Sequence, residues 1–166
     1  MLLTKSELTA ALQHEVHILL HLATKIDRTK LDYRPTTKQR STLELLQYLS
    51  MMGPVIVDMV KAGRFDAEAW TVEEEKAKSR DLDQTLAVIA AQREGYARQL
   101  ADVSDEDLRS EIEMFGNRAS RGYFLVTMVL SGFAAYRTQL FVYLKACGRE
   151  ELSTMNLWAG VDPVAV

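Results

Sequence analysis

One cysteine, Cys147, stands in a chain of 166 residues, so no disulfide can close within it and a disulfide-stapled secreted scaffold is excluded. The opening residues MLLTKSELTA lack the basic-then-apolar pattern of a secretion leader, and a bacterial-type cytoplasm is the expected compartment. Apolar runs are short. The longest, such as FLVTMVLSGFAAY from Phe124, fall below the roughly 18 to 20 residues needed to span a bilayer, so no membrane association is expected. Basic residues do not cluster, and the net charge of -3 offers no positive field to phosphates, which argues against a nucleic-acid partner. Internal repeats and low-complexity segments are also missing. What remains, 48% hydrophobic and 26% charged, is the make-up of one globular domain across residues 1–166.

Helical periodicity dominates that domain. Leu8, Leu12, Val16, Leu19, Ala23 and Ile26 recur at three- and four-residue steps and predict a first helix over residues 5–28. Its three histidines, His14, His17 and His21, fall on the opposite side, a stripe facing away from the core that predicts a solvated face or a dimer contact rather than a metal site. Tyr33-Arg34-Pro35 forces a turn, and Ser41 with Glu44 has capping-box spacing that starts a second helix carrying Leu45, Leu46, Leu49, Met52, Ile56 and Met59 inward. Gly53-Pro54 is expected to kink that helix or loosen one turn. Residues 64–80 read as mixed, with Trp70 as an anchor and a short capped turn at 71–75. Asp81 caps a third long helix to about Ala101, whose inward stripe of Leu82, Leu86, Ile89, Tyr96 and Leu100 is broken by Arg93; that guanidinium either snorkels out or meets an acid or anionic ligand. Residues 111–118 read as an irregular or short extended connection turning at Gly116-Asn117.

The last helix runs from a Ser120 cap to Gly148. Counting 100° per residue places Leu125, Val129, Gly132, Tyr136, Gln139, Leu140 and Tyr143 on one broad face, with Arg137 and Lys145 elsewhere. Tyr136, Gln139 and Tyr143 need hydrogen-bond partners if buried, and Gly132 opens space one turn before Tyr136. The face is either a core stripe with satisfied tyrosines or the wall of a small pocket. Four long amphipathic segments, an additional short helix and an irregular connection make the fold an all-α four-helix bundle. The tail WAGVDPVAV is expected to be a loop pinned by Trp158.

Leu31-Asp32-Tyr33-Arg34-Pro35, then Ser41-Thr42-Leu43-Glu44-Leu45-Leu46-Gln47-Tyr48-Leu49, and later Tyr136-Arg137-Thr138-Gln139-Leu140 followed by Tyr143-Leu144-Lys145 and Gly148, resemble the DinB/YfiT-like superfamily. That resemblance implies a DinB-like bundle with a divalent metal held by one histidine on the second helix and a His-x-x-x-His pair on the last. The positions that match those ligands here are Tyr48, Gly132 and Tyr136. Glycine offers no ligand and a neutral phenol is a poor one, so no metal and no cofactor are expected. The reading is therefore a DinB-like small-ligand-binding or interaction protein, a homodimer, with a pocket lined by Tyr48, Met52, Arg93, Gly132, Tyr136, Gln139 and Tyr143. In a scaffold variant of that reading, the rings of Tyr48 and Tyr136 fill the space themselves. The alternative implied by the resemblance is a divergent thiol-dependent transferase or hydrolase in which a tyrosine replaces metal-bound water.

Overall fold

Each long helix starts where a short polar side chain can catch its first free amides. In the computed structural model, which describes residues 3–164, α1 (Lys5–Ala23), α2 (Thr42–Ala62) and α4 (Leu82–Gln99) open on Thr4, Ser41 and Asp81, each in a reciprocal capping box. Asp66 caps α3 (Ala67–Lys78), a full helix where only a short turn was expected, because its first three turns continue from that cap without a breaker. Ser104 caps the short α5 (Asp105–Arg109). The last helix, Arg121 to Ala146, comprises α6 (Arg121–Phe124), a π-helical stretch (Leu125–Leu130) and α7 (Ser131–Ala146).

The long helices close on one core, which holds Leu12, Val16 and Leu19 from α1, Leu45, Leu49 and Met52 from α2, Ile89 and Tyr96 from α4, and Val129, Phe133 and Leu140 from the last helix. The expected all-α four-helix bundle is thus formed, with α3 packed as an extra helix against α2. The connection into the last helix is an antiparallel hairpin, β1 (Glu111–Met114) paired with β2 (Asn117–Ser120) in the register Glu111 to Ser120 and Met114 to Asn117. Its two-residue turn is Phe115-Gly116, both at positive φ (54° and 73°), one residue earlier than the turn anticipated.

α2 runs through Gly53-Pro54 as one helix. Pro54 has no N–H, so the carbonyl of Ser50 loses its helical donor; the buried Gln92 amide of α4 donates to both Ser50 O (2.9 Å) and Leu49 O (3.0 Å) in its place. Gly53 is needed for a different reason. A Cβ there would lie 2.1 Å from the Tyr96 hydroxyl and 2.7 Å from the Phe133 ring.

The π-helical stretch corrects the face assigned to the last helix. One extra residue per turn advances everything after it by about 100°, so Leu125 and Val129 are buried as expected while Phe133 and Arg137 take the inward places assigned to Gly132 and Tyr136. Arg137 is therefore a core residue. Its guanidinium meets Glu15 of α1 at 2.6 Å, and the two side chains are only 7% and 12% exposed.

By length and mean hydropathy (1.3 in each), Thr42–Ala62 and Arg121–Ala146 are long and apolar enough to cross a membrane, although Glu44, Gln47 and Asp58 in the first and Thr127, Ser131 and Gly132 in the second break each into shorter apolar runs. The first is 67% buried in the core over its most apolar stretch, and the second only 28%.

Candidate functional site

The side chains singled out on α2 and the last helix converge on a residue that the sequence did not single out, Arg40. It occupies the position just before the Ser41 cap, where its backbone is held from below: the Tyr143 hydroxyl donates to Arg40 O at 3.0 Å, and Gln139 Nε2 donates to that same hydroxyl. The Tyr33 ring packs edge-on against Tyr143 at 5.5 Å. So placed, the Arg40 guanidinium lies 3.9 Å above the centroid of the Tyr48 ring and 6.0 Å from that of Tyr136. Tyr48 and Tyr136 meet edge to face at 5.1 Å, and Trp70 of α3 leans on Tyr48 at 6.2 Å.

In front of this group opens a cleft of about 330 Å³ between the start of α2 and α3, lined by Arg40, Glu44, Gln47, Tyr48, Glu74, Ala77 and Lys78. Its rigid wall is built by Gln47, which donates to the carbonyls of Lys78 (3.2 Å) and Arg80 (2.7 Å) and so ties the end of α3 to α2. The cleft does not extend to Gly132. A Cβ at Gly132 would come within 3.2 Å of Met52 Cε, so the methionine, 1% exposed, already fills the space that glycine vacates. Of the predicted lining residues, Tyr48 borders the cleft and Tyr136, Gln139 and Tyr143 stand behind it, whereas Met52 and Gly132 belong to the packed interior. Arg93 is elsewhere. It is exposed on the outer side of α4, where its carbonyl accepts from Gln13 at 2.8 Å, because Gln92 takes the inward position next to it.

Electrostatics set what the tyrosines can do. Burial, followed by the neighbouring Tyr136 phenol and its hydrogen bond, pushes the Tyr48 phenol up to about 12, and Arg40 offsets only part of that. Tyr48 is thus a hydrogen-bond donor at neutral pH and not a base. This donor set does not fit a divalent transition metal, since two phenols in place of imidazoles and a glycine backed by Met52 stand at the positions that match the resembled ligands. Among the described residues no cluster of three or more His, Cys, Asp or Glu side chains is arranged to hold a metal ion.

The histidine stripe on α1 lies outside the core as expected, with His14 and His17 exposed and His21 half-buried. The C-terminal segment lies along it, with His14 Nε2 3.2 Å from Trp158 O, Gly160 packed against the His17 ring, and His21 Nε2 3.0 Å from Asn156 Nδ2. Arg137 reaches the same segment through a bond to Leu157 O, and its guanidinium lies 5.3 Å from the Trp158 ring. Asn156 and Leu152 pin the tail, not Trp158, which is 66% exposed. No signal in the sequence marked Glu15 or Arg40, since each acquires its role from a partner more than a hundred residues away or from packing above a ring.

Comparison with protein-family models and with curated proteins finds no match. Among solved structures, the chain is similar to a DinB-like protein of Bacillus subtilis, YjoA, with a TM-score of 0.67 and 18% sequence identity over 88% of this chain and 94% of that one. The bundle described above therefore has the DinB-like fold.

Proposed function

We propose that this DinB-like bundle is a small-ligand-binding protein that works without a transition metal, with the ligand seated in the cleft before Arg40 and Tyr48. One observation carries the reading: with Tyr143 and Gln139 fixing its backbone, Arg40 places its guanidinium over the Tyr48 ring and near Tyr136 at the mouth of a cleft of ligand size. A half-buried cation already placed at the mouth of a cleft would need little reordering to meet a ligand's acceptor. The alternative, a divergent thiol-dependent transferase or hydrolase using a tyrosine base, has against it a Tyr48 phenol that stays protonated far above neutrality. We further propose a cytoplasmic homodimer, supported by the lone cysteine and by the uncharged outer side of the last helix, where Tyr123, Val126 and Val142 are exposed.

A thermal-shift screen with small acids and thiols tests the binding reading. Ligands at about 100 times their Kd stabilise by about 2.7 kcal/mol, which raises Tm by several degrees, and Tyr48→Ala is expected to remove the shift. If no compound raises Tm in the wild-type protein, the cleft is part of a scaffold and the reading fails.

A further inference from the structure

Arginines that are not fully exposed almost always spend their donors on protein oxygens, and this chain follows that habit with one exception. Arg34 bonds Gln39 O and Glu44, Arg80 bonds Ser50 Oγ, Arg121 bonds Val60 O and Ser110 Oγ, Arg137 meets Glu15 and Leu157 O, and Arg149 meets Glu151. Arg40 is also half-buried, yet among the described residues its guanidinium donates to no acceptor and pairs with no carboxylate. The acids that border the same cleft are already matched. Glu44 is held by Arg34 and by the Ser41 cap, and Glu74 by Lys78. Arg40 is left as a planar fork of unspent donors, oriented by the Tyr48 ring beneath it and by the Tyr143 bond to its backbone.

We infer that the cleft is a receptor for small organic carboxylates, with the Arg40 guanidinium as the anchor; this rests on the reading that the cleft is the ligand site. A carboxylate matches the fork of a guanidinium with two parallel bonds, and a partner ion that excludes water makes each bond about twice as strong as one between neutral groups. The Tyr48 ring 3.9 Å from the guanidinium restricts where it can go, which lowers the ordering cost on binding. Ala77 and the ring of Tyr48 give the cleft an apolar wall, which favours an acid with a flat hydrocarbon body over a bare anion. Phosphate monoesters present the same oxyanion chemistry, and inorganic phosphate serves as the control for that source.

Titration calorimetry on the full-length protein with benzoate, phenylacetate, benzamide and inorganic phosphate tests the inference. Benzoate or phenylacetate is expected to bind the wild type at least tenfold more tightly than benzamide or phosphate. Arg40→Gln should weaken the acid at least tenfold and leave benzamide unchanged, and Arg40→Lys should recover only part of the loss because an ammonium lacks the fork. Circular dichroism of both variants guards against misfolding, which is not expected since Tyr143 bonds the backbone of residue 40 and not its side chain. Equal binding of benzoate and benzamide, with Arg40→Gln affecting neither, would overturn the carboxylate inference while leaving the cleft as a ligand site. Phosphate binding in place of the acids would overturn it in favour of a phosphate ligand. Binding of none of the four would overturn the cleft reading and the inference together.

Discussion

At the scale of single residues, Gly53 and Gly132 look alike in the sequence, each inside an apolar helix, and the structure gives them opposite tolerances. A methyl group at Gly53 meets the Tyr96 hydroxyl and the Phe133 ring, both fixed in the core, whereas one at Gly132 meets the flexible end of Met52. Gly53→Ala is therefore expected to cost about 2 kcal/mol or more, and adding Tyr96→Phe should recover part of it by removing the hydroxyl. Gly132→Ala should be near neutral, since a helix-propensity gain of about 1 kcal/mol offsets a small shift of Met52. Urea denaturation of the four chains checks this, and equal costs at the two glycines would contradict the packing described. The site shows the same limit of sequence reading. Tyr48, Tyr136, Gln139 and Tyr143 were legible because an aromatic or amide on an apolar face needs a partner, but Arg40 sits in a polar link where nothing in its neighbours announces a cleft.

Elements were legible where a cap or a stripe marks them, as at Ser41, Asp81 and Ser120, and illegible where an irregularity changes the count. The π-helical stretch at Leu125–Leu130 carries no composition of its own, yet by rotating the rest of the helix it gives Phe133 and Arg137 the most buried places. The C-terminal segment was misread for a related reason: nothing in the sequence shows that a distant stretch of chain lies along the histidine face and half-buries His21. That cover has a pH dependence that follows from donors and acceptors. Asn156 Oδ1 accepts from Ser153 N at 2.9 Å, which fixes the amide so that Nδ2 donates to Asp162 Oδ1 (2.9 Å) and to His21 Nε2 (3.0 Å). His21 must then be neutral with Nε2 as acceptor. Burial holds its pKa below the usual histidine value; Asp162 opposes that, and Lys25 and His17 of α1 reinforce it. Because the docked pKa lies below that of the free side chain, the docking contribution is whole above about pH 6.5 and is lost as pH falls through the lower, docked value. Hydrogen exchange corrected for intrinsic rates should show residues 153–162 losing protection between pH 7.5 and 5.5 while α2 keeps its own. His21→Gln should flatten that difference, and a pH-independent segment in the wild type would contradict this role for His21.

Taken as a whole molecule, the bundle was the most legible feature, because capped amphipathic helices of this length have few ways to bury their stripes. Its outer surface was less so. The last helix keeps Tyr123, Val126 and Val142 exposed along one side that carries no charge from Gly122 to Tyr136, and this is the surface on which the proposed second copy packs. Val126→Glu with Val142→Glu should turn a dimer into a monomer in sedimentation equilibrium without lowering Tm by more than dissociation itself does; a monomeric wild type would remove the dimer from consideration. A crystal structure of the protein grown with benzoate separates a ligand in the cleft from one at the resembled metal positions in the bundle most directly. Density for the acid against Arg40 and Tyr48, with Met52 still packed on Gly132, is the predicted result. Benzoate lodged beside Gly132 in place of the Met52 side chain, or a metal ion held there by protein ligands, would contradict it.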